Sequence, residues 1–232
     1  MKRKNQQRLG ECVYCDERKP LTDDHVPPKN LFAKPRPGNL ITVPACAECN
    51  KGFERDDEYF RTMLVLWEKT GDHFGARRLA DRVVKDLKRP EKVRFRSSIF
   101  HKARPVKLFT KSGLYDGETG LVEVDVLRLH RTVTRTVRGL FYHHAGHRLD
   151  DSYEVQIRVS PMSGMILDLI IATLPGLSTT PEIIGDGVFK YWFQVSTRDE
   201  KVSTWVLMFF ENLPFVCATV PRGFLGDLQE LS

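Results

Sequence analysis

Two cysteine pairs carry the most specific chemistry in this chain: Cys12-Val13-Tyr14-Cys15 and Cys46-Ala47-Glu48-Cys49. A C-x2-C pair is a tight turn that aims two thiolates at one ion, and two such pairs complete a tetrahedral four-sulfur site. With every position filled by sulfur, no place is left for water, so a zinc held this way is structural. Free buried thiols or a redox pair are the competing readings of the same spacing. Cys217, in Phe215-Val216-Cys217-Ala218, reads as a core cysteine. Between the pairs stand Asp24-His25 and Asn39-Leu40, and Asn50 follows the second pair directly. A neutral imidazole, with an unperturbed pKa of about 6.5, can accept a proton at physiological pH. One carboxylate and one amide oxygen are hard ligands that suit Mg2+ or Mn2+. An Asp-His pair alone is weak, because surface turns also contain it; its weight comes from its company.

The elements that must position these groups are partly legible. From Glu11 to about Phe53 the chain is dense in Cys, Pro, Gly, Asn and Asp and short of apolar periodicity, so it needs a staple in order to fold. Pro27, Pro28, Pro35, Pro37 and Gly38 demand an irregular loop, and Asn39 to Val43 alternates as a short strand. A helix is expected to begin where the second pair closes at Asn50, and Asp56 or Asp57 is a good cap for the helical face of Tyr59, Phe60, Met63, Leu64 and Trp67. A second helix runs from about Phe74 to Leu87 and ends before Pro90. Beyond it, Val93 to Phe100 and Pro105 to Lys111 read as strands, with Asp116-Gly117 as a hairpin turn. Glu123 to His147 has the longest helical periodicity, through Val126, Leu129, Val133, Val137, Leu140 and Phe141. Tyr153 to Val159 alternates as a strand, and Met165 to Leu174 fits either a strand or a buried helix. Val188 to Ser196 and Val202 to Phe210 suggest an antiparallel pair, with Pro214 to Val220 as an edge strand. The expected organisation is a basic tail (1–10), a zinc-stapled unit with following helices (11–90) and an α+β domain (91–232) with antiparallel strands and one long helix.

Composition sets the class. The chain has 232 residues, 41% hydrophobic and 28% charged, which is globular rather than disordered. A net charge of +6 favours a polyanionic partner, although a soluble protein that is merely basic has the same balance. Five cysteines, four of them in two pairs, do not make a disulfide scaffold, and Met1-Lys2-Arg3-Lys4 leads into no apolar stretch. A cytoplasmic, reducing location and no membrane are therefore expected. The most apolar run, Met165 to Leu174, is broken by Asp168 and too short to span a bilayer.

Taken together, Cys12, Cys15, Asp24-His25, Asn39-Leu40, Cys46, Cys49 and Asn50 resemble the HNH endonucleases, the ββα-metal nucleases with zinc knuckles. The resemblance covers about residues 12 to 60. In that family the histidine ends the first strand, the middle asparagine lies in the connecting loop or second strand, and the last residue lies on the helix. Carried over, His25 is the catalytic general base, Asn39 braces the loop that aims it, and Asp24 and Asn50 hold a catalytic Mg2+ or Mn2+. Cys12, Cys15, Cys46 and Cys49 hold structural Zn2+. The implied activity is hydrolysis of phosphodiester bonds in nucleic acid, with DNA as the family-level expectation. A non-catalytic, zinc-dependent nucleic-acid-binding protein is the alternative.

Lys51, next to the final motif position, and Arg36, in the proline-rich loop, are expected phosphate contacts. Arg94 and Arg96 join them from the strongly basic stretch between Arg77 and Lys107, which reads either as a phosphate-binding surface or as a solvated face with a linker. Arg128, Arg131, Arg135 and Arg138 form a ridge opposite the apolar stripe of the long helix, either a phosphate track or a wet face. His143, His144 and His147 read as a polar helix end.

Overall fold

The cysteine-rich segment does not stay irregular. In the computed structural model, which describes residues 8–159, 176–178 and 180–224, β1 (Leu9–Glu11), β2 (Arg18–Val26) and β3 (Ile41–Cys46) form an antiparallel sheet in that order. Two residues placed in the basic tail, Leu9 and Gly10, belong to β1. β3 lies at the sheet edge, where a proline without an N–H is tolerated. Its Pro44 carbonyl instead accepts the Val13 N–H at 3.0 Å, which ties the first cysteine turn to β3.

α1 (Ala47–Gly52) grows directly from β3, with Cys46 as its N-cap. α2 (Glu54–Leu66) follows and buries Tyr59, Phe60, Met63 and Leu64. Neither Asp56 nor Asp57 caps it; Phe53 is the N-cap, without a side-chain bond. Both carboxylates are held instead by arginines of a later helix. α3 (Phe74–Leu87) has the expected bounds. Its apolar face carries Leu79, Val83 and Leu87 at helical spacing, a pattern that local sequence alone defines.

Val93–Phe100 is a helix, α4, not a strand. The apparent alternation of Val93-Arg94-Phe95-Arg96 is overridden by Phe95 and Ile99, four residues apart, which turn together towards the core. β4 (Arg104–Phe109) and β5 (Tyr115–Leu121) form a separate hairpin. Its turn is not Asp116-Gly117, which lies inside β5. The chain reverses between Thr110 and Leu114, where Gly113 takes a positive φ of 84° and Thr110 and Leu114 share a backbone bond of 2.8 Å.

α5 (Val126–Ala145) is the long helix, capped by Asp125 and closed by Gly146 at a φ of 76°. The last sheet contains β6 (Tyr153–Val159), β7 (Glu182–Ile184), β8 (Phe189–Val195), β9 (Ser203–Phe209) and β10 (Leu213–Pro221), all antiparallel, in the order β6-β10-β9-β8-β7. β10 is therefore an inner strand, paired on both sides, rather than an edge. The segment Met165 to Leu174 lies outside the described residues.

The class is mixed α and β, as expected. One apolar cluster runs from Val13, Val26 and Val43 through Phe60, Val133 and Leu140 to Phe209 and Phe215. α5 packs against α2, β2, β3 and β6, and so lies between the N-terminal sheet and the five-stranded one. Among the described residues no helix is long and apolar enough to cross a membrane.

Candidate functional site

The four paired cysteines converge. Their sulfurs lie within 4.8 Å of one another, Cys15 and Cys46 at 3.8 Å, and none is in a disulfide. A tetrahedron with Zn–S bonds of about 2.3 Å has sulfurs roughly 3.8 Å apart, so the spacing fits that ion. Backbone N–H groups of Tyr14 and Cys46 donate to Cys12 Sγ at 3.4 and 3.3 Å, and Cys49 N–H donates to Cys46 Sγ at 3.4 Å. Burial opposes ionisation of Cys12, but these N–H bonds outweigh it and lower its pKa. Burial and crowding by neighbouring sulfurs push the Cys15 and Cys49 thiols up. A cation shared among the sulfurs reverses that penalty, because coordination favours the thiolate. The cluster joins the β1–β2 turn to the β3–α1 junction, and a structural zinc is compatible with it.

A second site lies where β2 meets α1 and α2. A cavity of about 170 Å3 is lined by Asp24, His25, Pro28, Lys29, Asn30, Asn50, Glu54 and Asp57. His25 lies in β2, one residue from its end, Asn39 lies in the loop before β3, and Asn50 lies on α1. The structure thus brings Asp24, His25 and Asn50 to one cavity. Asn39 is not in it; its amide donates to the Ile183 carbonyl at 2.9 Å and fastens the loop to β7.

Side chains alternate along β2, and this explains the different environments of neighbours. Asp24 and Val26 face the protein interior and are buried, whereas His25 is half-exposed. Burial, followed by the positive charge of Lys29, lowers the His25 pKa against the smaller opposing pull of Asp24. The ring is therefore neutral at pH 7, the state a proton acceptor needs. No hydrogen bond engages it among the described residues. Asn50 Nδ2 donates to Thr22 Oγ1 at 3.0 Å and to the Asp23 carbonyl at 3.4 Å, so its amide is fixed by β2.

Asp24, 5% exposed, has one partner in the first cysteine turn and one on α5. Its Oδ2 accepts from Tyr14 OH at 2.9 Å and pairs with Arg135 Nε at 3.7 Å. Arg135, on α5, is itself buried and reaches Asp57 Oδ2 at 2.9 Å. Its guanidinium lies 4.6 Å from the Phe53 ring centre. Burial lifts the Asp57 carboxyl to about 6 despite that arginine.

Beside the His25 ring, the cavity's acceptors are oxygens, from Asp24, Asn30, Asn50, Glu54 and Asp57. Buried Asn30 Oδ1 and Asp57 Oδ1 have no hydrogen-bond donor. Such a set fits a hard divalent cation better than zinc. The oxygens are not drawn into a tight cluster; among the described residues only the cysteines bring three or more Cys, His, Asp or Glu ligand atoms that close. Mg2+ needs no such cage, since it retains waters and uses one or two carboxylates.

The expected phosphate contacts divide. Lys51 is exposed on α1 and does not line the cavity. Arg36 is exposed and bonds the Lys29 carbonyl, and its charge contributes to lowering the His25 pKa. Arg96 donates to the Leu87 carbonyl at 3.0 Å, closing the end of α3, and neither it nor Arg94 lines the cavity. The arginines of α5 are engaged by carboxylates, with Arg131 still exposed. Arg128 and Arg131 both hold Asp56, Arg135 is buried, and Arg138 pairs with Asp151.

Sequence reasoning missed Tyr14, Arg135 and Asp57. One signal pointed to α5: Gly139, on the ridge side of a 20-residue helix, marks a close approach. A Cβ there would meet Val26 Cγ2 at 2.5 Å. From Gly139 to Arg135 is one helical turn, about 6 Å, and from Val26 to Asp24 is two strand residues, about 6.7 Å. The tight contact at one rung therefore brings arginine and carboxylate together at the next. No family model matches the chain, and neither a curated protein nor a solved structure matches it.

Proposed function

We propose that this chain is a metal-dependent HNH-type endonuclease that hydrolyses phosphodiester bonds in nucleic acid, with DNA as the expected substrate. The observation that carries this reading is the shared cavity of Asp24, His25 and Asn50, drawn from β2 and α1 beside a four-cysteine cluster that ties those two elements together. His25 accepts the proton of the attacking water; its lowered pKa keeps the imidazole unprotonated at neutral pH. Asp24 and Asn50 supply the oxygens that hold a divalent cation. When bound, the cation supplies positive charge opposite the charge that develops on the phosphate and the departing oxygen. Asn39 braces the connecting loop through Ile183. Exposed Lys51 and Arg36 meet the flanking phosphates. Cys12, Cys15, Cys46 and Cys49 would hold zinc with all four positions filled by sulfur, a structural ion that ties β2 to α1.

The test is nicking of supercoiled plasmid with Mg2+ or Mn2+, run beside His25→Ala. Parental protein cuts, and the variant loses at least about a hundredfold in rate while retaining fold and zinc. Cleavage by the variant at the parental rate removes His25 as the base. No cleavage under either metal, combined with salt-sensitive DNA binding, supports a zinc-dependent nucleic-acid binder instead.

A further inference from the structure

Asp24 uses only one of its oxygens inside the protein. Tyr14 OH and Arg135 Nε both address Oδ2, at 2.9 and 3.7 Å, whereas Oδ1 has no hydrogen-bond partner among the described residues. Tyr14 lies inside the first cysteine turn, between Cys12 and Cys15. Arg135 comes from α5, more than a hundred residues along the chain, and is 2% exposed. The two residues therefore link Asp24 to the sulfur cluster on one side and to the second half of the molecule on the other.

We propose that Arg135 and Tyr14 are positioning residues for the cleavage reaction: together they anchor Oδ2 of Asp24 so that Oδ1 alone is offered to the cation, and residues 91–232 complete the site by supplying Arg135. This rests on the nuclease reading. A carboxylate free to rotate can chelate a cation with both oxygens, which draws in charge but misplaces the ion. With Oδ2 anchored, only Oδ1 of Asp24 would remain free to hold a cation, and its direction would be set by the fold. The guanidinium also balances Asp24 and Asp57, whose charges meet in a buried place. The arrangement weakens cation affinity through like-charge repulsion and gains geometry in return.

Opposed changes in binding and turnover therefore mark the role. The experiment measures Mn2+ binding to the zinc-loaded full chain by the electron paramagnetic resonance of free Mn2+, and single-turnover nicking of plasmid, for parental protein, Arg135→Met, Arg135→Lys and Tyr14→Phe. Arg135→Met is expected to slow turnover by about tenfold or more while Mn2+ binding is retained or tightened. Arg135→Lys, which restores charge without the planar fork, recovers part of the turnover. Tyr14→Phe, nearly the same size, gives the same pattern at about threefold and serves if Arg135→Met does not fold. Parental turnover in Tyr14→Phe and in a folded Arg135 variant overturns the proposal, as does slowed turnover accompanied by lost Mn2+ binding. Absence of nicking by the parental protein sinks the nuclease reading itself, a separate result.

Discussion

The sulfur cluster and the oxygen-lined cavity are close in sequence but differ in where their parts originate. All four sulfurs come from two tight turns within residues 12–49, and their hydrogen bonds come from the same turns. The cavity takes Asp24 and His25 from β2, Asn50 from α1, Glu54 and Asp57 from α2, and its buried counter-charge from α5. A metal staple can be assembled locally because four strong ligands outweigh the entropy of ordering one loop. A buried carboxylate cannot, because its desolvation must be offset by partners that only a folded interior supplies.

The largest test of that contrast is Cys49→Ser. On the order of 10 kcal/mol of folding free energy depends on a structural zinc site. The variant is expected to lose zinc and to become protease-sensitive across β1 to α1; equal protease resistance would break the zinc half of the comparison. Gly139→Ala acts on the other half. Its new Cβ would press on Val26 Cγ2 at 2.5 Å and Tyr14 OH at 3.3 Å, so α5 must move away from β2. We expect a loss of about 1–3 kcal/mol in denaturant unfolding with zinc stoichiometry unchanged. Loss of zinc together with stability would show that the two sites are one cooperative unit.

Asp56→Asn probes how α2 is held to α5. Burial by itself raises the Asp56 carboxyl, but bonds from Arg131 at 2.6 Å and Arg128 at 2.9 Å outweigh it and hold its pKa below the ordinary range. The carboxylate's contribution is complete above the unfolded-chain value of about pH 4 and fades as pH falls through the lower folded value. The variant should lose about 2 kcal/mol at pH 7, and its deficit should shrink towards pH 3. A deficit that does not change with pH would assign the effect to packing instead.

Legibility followed the range of the interactions. α3 and β6 were readable to the residue because a single amphipathic face defines each. Val93–Phe100 is not legible as a helix because four alternating residues are too few to distinguish a strand from a helix whose neighbours decide its face. β10 reads as an edge strand because its sequence does not reveal that β6, more than fifty residues earlier, pairs with it. Within the candidate site, the family resemblance grouped Asp24, His25 and Asn50, and they line one cavity. Arg135 was not legible, since by helical periodicity it belongs on the side away from the apolar stripe, and only α2 and β2 closing over that side make it buried.

By itself, the sequence determined the paired thiols, the proline-rich loop and short strand that follow Asp24-His25, and the amphipathic helices, because each depends on residues a few positions apart. Only the tertiary structure decided which carboxylates are buried, which arginines neutralise them and which oxygen of Asp24 remains uncommitted. Those outcomes depend on α5 crossing β2 at Gly139, and the desolvation that makes such contacts matter exists only once distant segments have excluded water together.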